Sequence, residues 1–150
     1  MMQILFKHTI TTTTMKIKNI RSLLLIMLIP AIAIAQNDLQ GKTTNWNISE
    51  QTDLSSGNTI QQVSIVQVSD SVVVWGPSVE DGFPMSVTNI SGNWDANTNL
   101  GNVTYSLQFE DGSGEAVLSG TGNDQIITLD LTFVNGSSRI NLKADSITYY

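Results

Sequence analysis

The chain has 150 residues, 41% of them hydrophobic, with one histidine, no cysteine and 13 acidic against 7 basic residues. Lys7, His8, Lys16, Lys18 and Arg21 all fall in the first 35 residues, so residues 36–150 keep every acid but only Lys42, Arg139 and Lys143, for a formal charge of −10. That stretch holds no Ser-His-Asp triad, thiol nucleophile, disulfide or zinc site built on His or Cys, and with no basic footprint it is not expected to bind nucleic acid.

In chain order, the first element is a leader. Lys16, Lys18 and Arg21 precede an apolar run over 23–34, the length of a signal-peptide core and short for a membrane span. Ala33-Ile34-Ala35 supplies the small-x-small pattern of a cleavage site, making Gln36 the new N-terminus. Residues 1–35 therefore read as a cleavable signal peptide, and residues 36–150 as one exported domain, periplasmic or secreted. Met15, just ahead of the basic cluster, would begin a leader of ordinary length, so Met1 and Met15 both stand as starts. A permanent anchor is the rival reading, against which Pro30 interrupts the run. No cysteine follows it, which excludes a lipid anchor there.

In residues 36–150, Ser, Thr, Asn and Gln occupy 46 of 115 positions. They alternate with Val, Ile, Leu and aromatic residues, the pattern of half-buried strands, whose successive side chains face opposite ways. Strands are expected at 43–49, at 59–69 with a phase change between Ile65 and Val66, at 72–75 and at 85–91. The clearest alternation is Val103-Thr104-Tyr105-Ser106-Leu107-Gln108-Phe109. Glu115 to Gly120 follows, then Ile127-Thr128-Leu129-Asp130-Leu131-Thr132-Phe133 and Ile140-Asn141-Leu142-Lys143-Ala144-Asp145. The last shifts phase before Ile147 and Tyr149, which places a bulge or strand end near Asp145-Ser146. Turns fall at 70–71, at Glu110-Asp111-Gly112-Ser113-Gly114 and at Val134-Asn135-Gly136-Ser137-Ser138, where Asn-Gly supplies positive φ cheaply. No window carries helical spacing of apolar residues.

These elements make an all-β, single antiparallel domain of about eight strands. An up-and-down barrel removes exposed edges altogether; a two-sheet β-sandwich, with crossovers at 76–83 and 92–101, is the alternative. The consecutive short strands resemble the lipocalin-like and avidin-like (calycin-type) meander barrels. Those families carry Gly-x-Trp near the first strand; here Gly41 precedes Trp46 by five residues and Gly92-Asn93-Trp94 lies in mid-chain. The resemblance covers residues 43–150 as architecture and implies a small ligand bound at an open barrel end. It transfers no ligand-contacting residue.

Asp95-Ala96-Asn97-Thr98-Asn99 begins like a calcium loop, but Leu100 stands where glycine is required and Ser106 where the bidentate glutamate belongs. A turn using local hydrogen bonds is the plainer reading, and no metal or other cofactor is expected. Glu50, Glu80, Glu110 and Glu115 lie at or near predicted turns, without the fixed spacing that glycoside hydrolysis needs. No catalytic residue is assigned, and the domain reads as not an enzyme. Trp94, expected in a polar loop with Asn93, Asp95 and Asn97, offers either a sugar-stacking surface or a plug for a barrel end. The candidate ligand-binding residues are Trp94, Trp75, Tyr105, Phe109 and Phe133, for a small apolar or amphipathic ligand; a carbohydrate-binding or adhesion module and a purely structural envelope protein are the alternatives.

Overall fold

The computed structural model describes residues 37–150; the expected leader, its cleavage site and the choice of start lie outside the described residues. Eight strands follow one another: β1 (Thr44–Asp53), β2 (Thr59–Val68), β3 (Val72–Gly76), β4 (Phe83–Asp95), β5 (Leu100–Phe109), β6 (Gly112–Thr121), β7 (Gln125–Phe133) and β8 (Gly136–Tyr149). Each pairs antiparallel with the next, and β8 returns to pair with β1 from Thr44↔Tyr149 to Asp53↔Ile140. That last ladder closes the sheet into an up-and-down barrel and removes the sandwich alternative. The architecture is consistent with the calycin-like type.

The alternation in the sequence becomes an inside and an outside. Trp46 and Ile48 of β1, Val66 and Val68 of β2, Val73 of β3 and Met85 of β4 are buried within one apolar cluster. Val103, Tyr105, Leu107 and Phe109, Ala116 and Leu118, Ile127, Leu129 and Leu131, and Ile140, Leu142 and Ala144 complete it. The barrel is filled by its own side chains, as small barrels of about eight strands tend to be.

Local irregularities bend the strands of this barrel, and each extra residue shifts the inward phase by one position, as expected near Asp145-Ser146. Asp145 is the extra residue where Asn47↔Ser146 is followed by Ile48↔Ala144, and its carboxylate accepts a 2.7 Å hydrogen bond from the Ser49 hydroxyl. Thr88 plays the same part between Val87↔Leu107 and Asn89↔Ser106. The phase change expected between Ile65 and Val66 is misplaced. Ser64, Val66 and Val68 are buried in one uninterrupted phase, and the irregularity falls between Ser64↔Ile48 and Gln61↔Glu50. The apolar pair Ile65-Val66 misleads because Ile65 is only a half-buried outer-face residue, whereas the residue that holds the inward phase is a serine.

The connections divide between two ends. Residues 69–71, 96–99 and 122–124 lie at one end together with the entering segment 37–43; residues 54–58, 77–82, 110–111 and 134–135 lie at the other. We call these the capped end and the rim.

Candidate functional site

The capped end is built around Trp94. β4 does not stop at Ser91 but runs on to Asp95, and the turn before β5 is only residues 96–99. Trp94 is therefore a strand residue facing inward, 0% exposed, and not the loop indole expected from its polar neighbours. Its ring packs 5.4 Å from that of Trp46 and lies on Gly120, where a Cβ would come 2.5 Å from Trp94 Cη2 and 2.1 Å from the Asn99 carbonyl oxygen. The indole Nε1–H donates to Tyr149 Oη at 3.0 Å, and that hydroxyl donates to Asn99 Oδ1 at 2.6 Å. Burial pushes the Tyr149 phenol up from its ordinary value, against the opposing effect of the Trp94 hydrogen bond.

The entering chain seals this end. Leu39 is fully buried, the Asp38 amide donates to the Trp94 carbonyl at 2.9 Å, and Asp38 Oδ2 accepts from the Ala96 amide at 3.2 Å. With its indole enclosed, Trp94 presents no face on which a sugar ring could stack. It serves as the plug that was its other reading. The calcium-like oxygens are also committed locally: Asp95 Oδ1 accepts from the Asn97 amide at 2.8 Å, which holds its carboxyl below the usual range. Among the described residues, no cluster of three or more His, Cys, Asp or Glu is arranged to hold a metal ion.

Tyr105 sits in mid-wall between Ile90 and Ala116. It is buried in the filled interior, where loss of water pushes its phenol up to about 12. It lines no opening toward the rim pocket.

The other three candidates lie at the rim. Phe109 packs 5.4 Å edge-on from Phe83 and 5.2 Å from Phe133, while Trp75 faces Phe83 across the β3–β4 ladder. β3 is only five residues long, and its pairing with β2 ends at Ile65↔Gly76. Pro77, which has no amide to donate, then turns the chain away. The early part of β2 is thus left without a β3 partner, and a pocket opens in the gap. It has a volume of about 230 Å³ and is lined by Gln62, Ser64, Trp75, Gly76, Pro77 and Phe83.

Ser64 distinguishes this pocket from a chance hollow. It is 3% exposed, and among the described residues its hydroxyl is the buried side-chain polar atom that has no hydrogen-bond partner. Leaving such a group unsatisfied costs about 1–3 kcal/mol. Phe83 is 42% exposed at the mouth, and Leu54, Ile60, Val63 and Val134 are also exposed on the rim or the adjoining outer wall. A second, more polar hollow of about 260 Å³ lies at the capped end beside Lys42 and Asp70, where Asp70 Oδ2 is already engaged by the Gly41 amide at 2.8 Å.

The structure thus joins Phe109 and Phe133 to the cluster edging the pocket and places Trp75 in its wall, while Trp94 and Tyr105 lie elsewhere. Sequence reasoning missed Gln62, Ser64, Gly76, Pro77 and Phe83. The signal for Ser64 was present as the polar member of the inward phase Ser64-Val66-Val68. For Phe83 there was none, because it falls in what reads as a connection. Neither a protein-family model nor a curated protein matches this chain.

Proposed function

We propose that residues 36–150 act outside the cytoplasm as a non-catalytic barrel that binds a small apolar or amphipathic ligand at its rim. The observation that carries this reading is the unpartnered Ser64 hydroxyl in a pocket whose wall also holds Gln62, Trp75, Gly76, Pro77 and Phe83. A ligand that buries apolar surface there and offers one polar group would satisfy it. The filled interior counts against a ligand held within the barrel and leaves the rim as the place for one. At about 230 Å³ the pocket is smaller than the roughly 300–1,000 Å³ usual for drug-sized ligands, so it fits a single ring or the end of a longer molecule. The calycin-type resemblance agrees with binding at an open end, in its lipocalin-like or avidin-like form.

The absence of histidine from residues 36–150 supports binding over catalysis, since general acid–base work near neutral pH is done most often by that side chain. The test is titration of the full chain with neutral 2-phenylethanol, followed by the indole N–H resonances of its three tryptophans. Saturable shifts of Trp75, with Trp46 and Trp94 unmoved, are expected. Absence of any shift at Trp75 up to the solubility limit would remove the rim as a ligand site and leave the purely structural role.

A further inference from the structure

Charge at the rim narrows the ligand class. Asp53 ends β1, Glu80 and Asp81 lie in the 77–82 connection, and Glu110 and Asp111 form the β5–β6 turn, while no Lys or Arg lies in the rim connections. Arg139, on the outer wall nearby, is held by Asp130 at 3.5 Å. Lys143 is likewise held by Asp124 at 3.5 Å. The connection that supplies Pro77 to the pocket therefore also carries Glu80 and Asp81, the latter accepting a 3.0 Å hydrogen bond from the Ser78 hydroxyl, on a domain whose net charge already repels anions. Independently, the pocket is lined by Ser64, whose buried hydroxyl has no partner, together with the aromatic residues Trp75 and Phe83. Aromatic faces attract cations as well as apolar surface.

We propose that the rim pocket takes a hydroxylated aromatic amine: the ring seats against Trp75 and Phe83, its hydroxyl partners Ser64 Oγ, and the ammonium group stays at the mouth among the rim carboxylates. This rests on the rim being a ligand site and adds to that reading the class of molecule bound. Fatty acids and other anionic amphiphiles are disfavoured by the same carboxylates. The hydroxyl and the ammonium are recognised by separate groups, so each can be tested alone.

Four probes separate the contributions: tyramine, 2-phenylethylammonium, the neutral alcohol tyrosol and the anion 3-(4-hydroxyphenyl)propanoate. Each is titrated into the full chain at 10 mM and 500 mM NaCl, with the Trp75 indole as reporter. Tyramine is expected to bind tightest and the propanoate weakest, with tyramine favoured over tyrosol by about fivefold at low salt, the upper range for exposed charge pairs. That preference should shrink to roughly twofold or less in 500 mM salt, where the screening length is only a few ångströms. Glu80→Gln with Glu110→Gln, two carboxylates outside the pocket wall, should lower tyramine affinity while leaving tyrosol unchanged. Ser64→Ala should abolish the advantage of tyramine over 2-phenylethylammonium. Equal binding of tyramine, tyrosol and the propanoate, or tightest binding by the propanoate, would overturn the charge assignment and leave rim binding standing. No response to any of the four would remove the rim site itself.

Discussion

Ser64→Ala should make the unliganded protein more stable, the reverse of what truncation in a barrel wall usually does. Ser64 is 3% exposed, its hydroxyl has no partner, and it faces Ile48 across the β1–β2 ladder. Removing the hydroxyl ends a desolvation penalty of about 1–3 kcal/mol. Against that stands the void left by one oxygen, roughly 15 Å³, which at about 24 cal/mol per Å³ costs only ~0.4 kcal/mol. The net expectation is a gain of about 1–2 kcal/mol, which in a domain of this size corresponds to a rise of roughly 3–10 °C in melting temperature. Urea denaturation of both proteins at pH 7, together with calorimetric melting, measures it. Ser64→Thr keeps the hydroxyl and serves as control, with no gain expected. A loss of stability in Ser64→Ala, or an equal gain in Ser64→Thr, would show that the hydroxyl is satisfied in solution, and would take away the observation on which the rim site rests.

Further expectations address the capped end, the titrating groups and the pocket wall. Leu39→Ala should cost about 2–4 kcal/mol in chemical denaturation, as for other buried leucines; a cost below about 1 kcal/mol would mean that the entering segment is not part of the core. Gly120→Ala should destabilise more severely than an ordinary strand substitution and redden tryptophan emission, because the new Cβ meets the Asn99 carbonyl and the Trp94 ring; near-native melting would contradict that packing. Because folding raises the Tyr105 phenol from 10.0 to about 12, its contribution is fully present below pH 10 and is lost as pH climbs toward 12, by up to about 2–3 kcal/mol. Tyr105→Phe should flatten that alkaline fall in urea midpoints measured from pH 8 to 11.5, and an unchanged slope would refute it. The Asp53 carboxyl is held low chiefly by the Ser56 amide and then the Ser55 amide. Its stabilisation is accordingly present above pH 3.8 and lost as pH falls through the lower folded value, so Asp53→Ala should show a shallower acid limb. Trp75→Ala should abolish binding of 2-phenylethanol while leaving a cooperative melt, because its side chain is only partly buried; retained affinity would place the ligand elsewhere.

Two errors of placement in the sequence reading, at Trp94 and at Ser64, share a cause. Alternation of apolar residues marks the inward face, and that mark is lost where glycine or serine takes the inward place. Past the extra residue Thr88 the inward face of β4 passes from Met85 and Val87 to Ile90-x-Gly92-x-Trp94, but Gly92 has no side chain to show it and Asn93 and Asp95 resemble loop residues. Ser64 likewise hides the inward phase of β2. Both are places where the barrel wall needs something other than an aliphatic side chain: close backbone approach at Gly92, where an added Cβ would lie 2.2 Å from the Asn102 carbonyl oxygen, and the pocket at Ser64.

Composition and local pattern by themselves determined the strand class, the number and order of strands, the interior residues of β5, β7 and β8, the acidity of residues 36–150 and their lack of histidine and cysteine. Those properties depend on each residue and its near neighbours, since a two-residue period is written locally. Closure was a tertiary decision, because the β1–β8 ladder joins the first strand to the last. So was the fate of the tryptophans: Trp94 is a plug because Leu39, Tyr149 and Gly120 arrive around it from three distant parts of the chain, and Trp75 lines a pocket because β3 ends before β2 does. The rim site exists only where those lengths mismatch, and no single segment contains it.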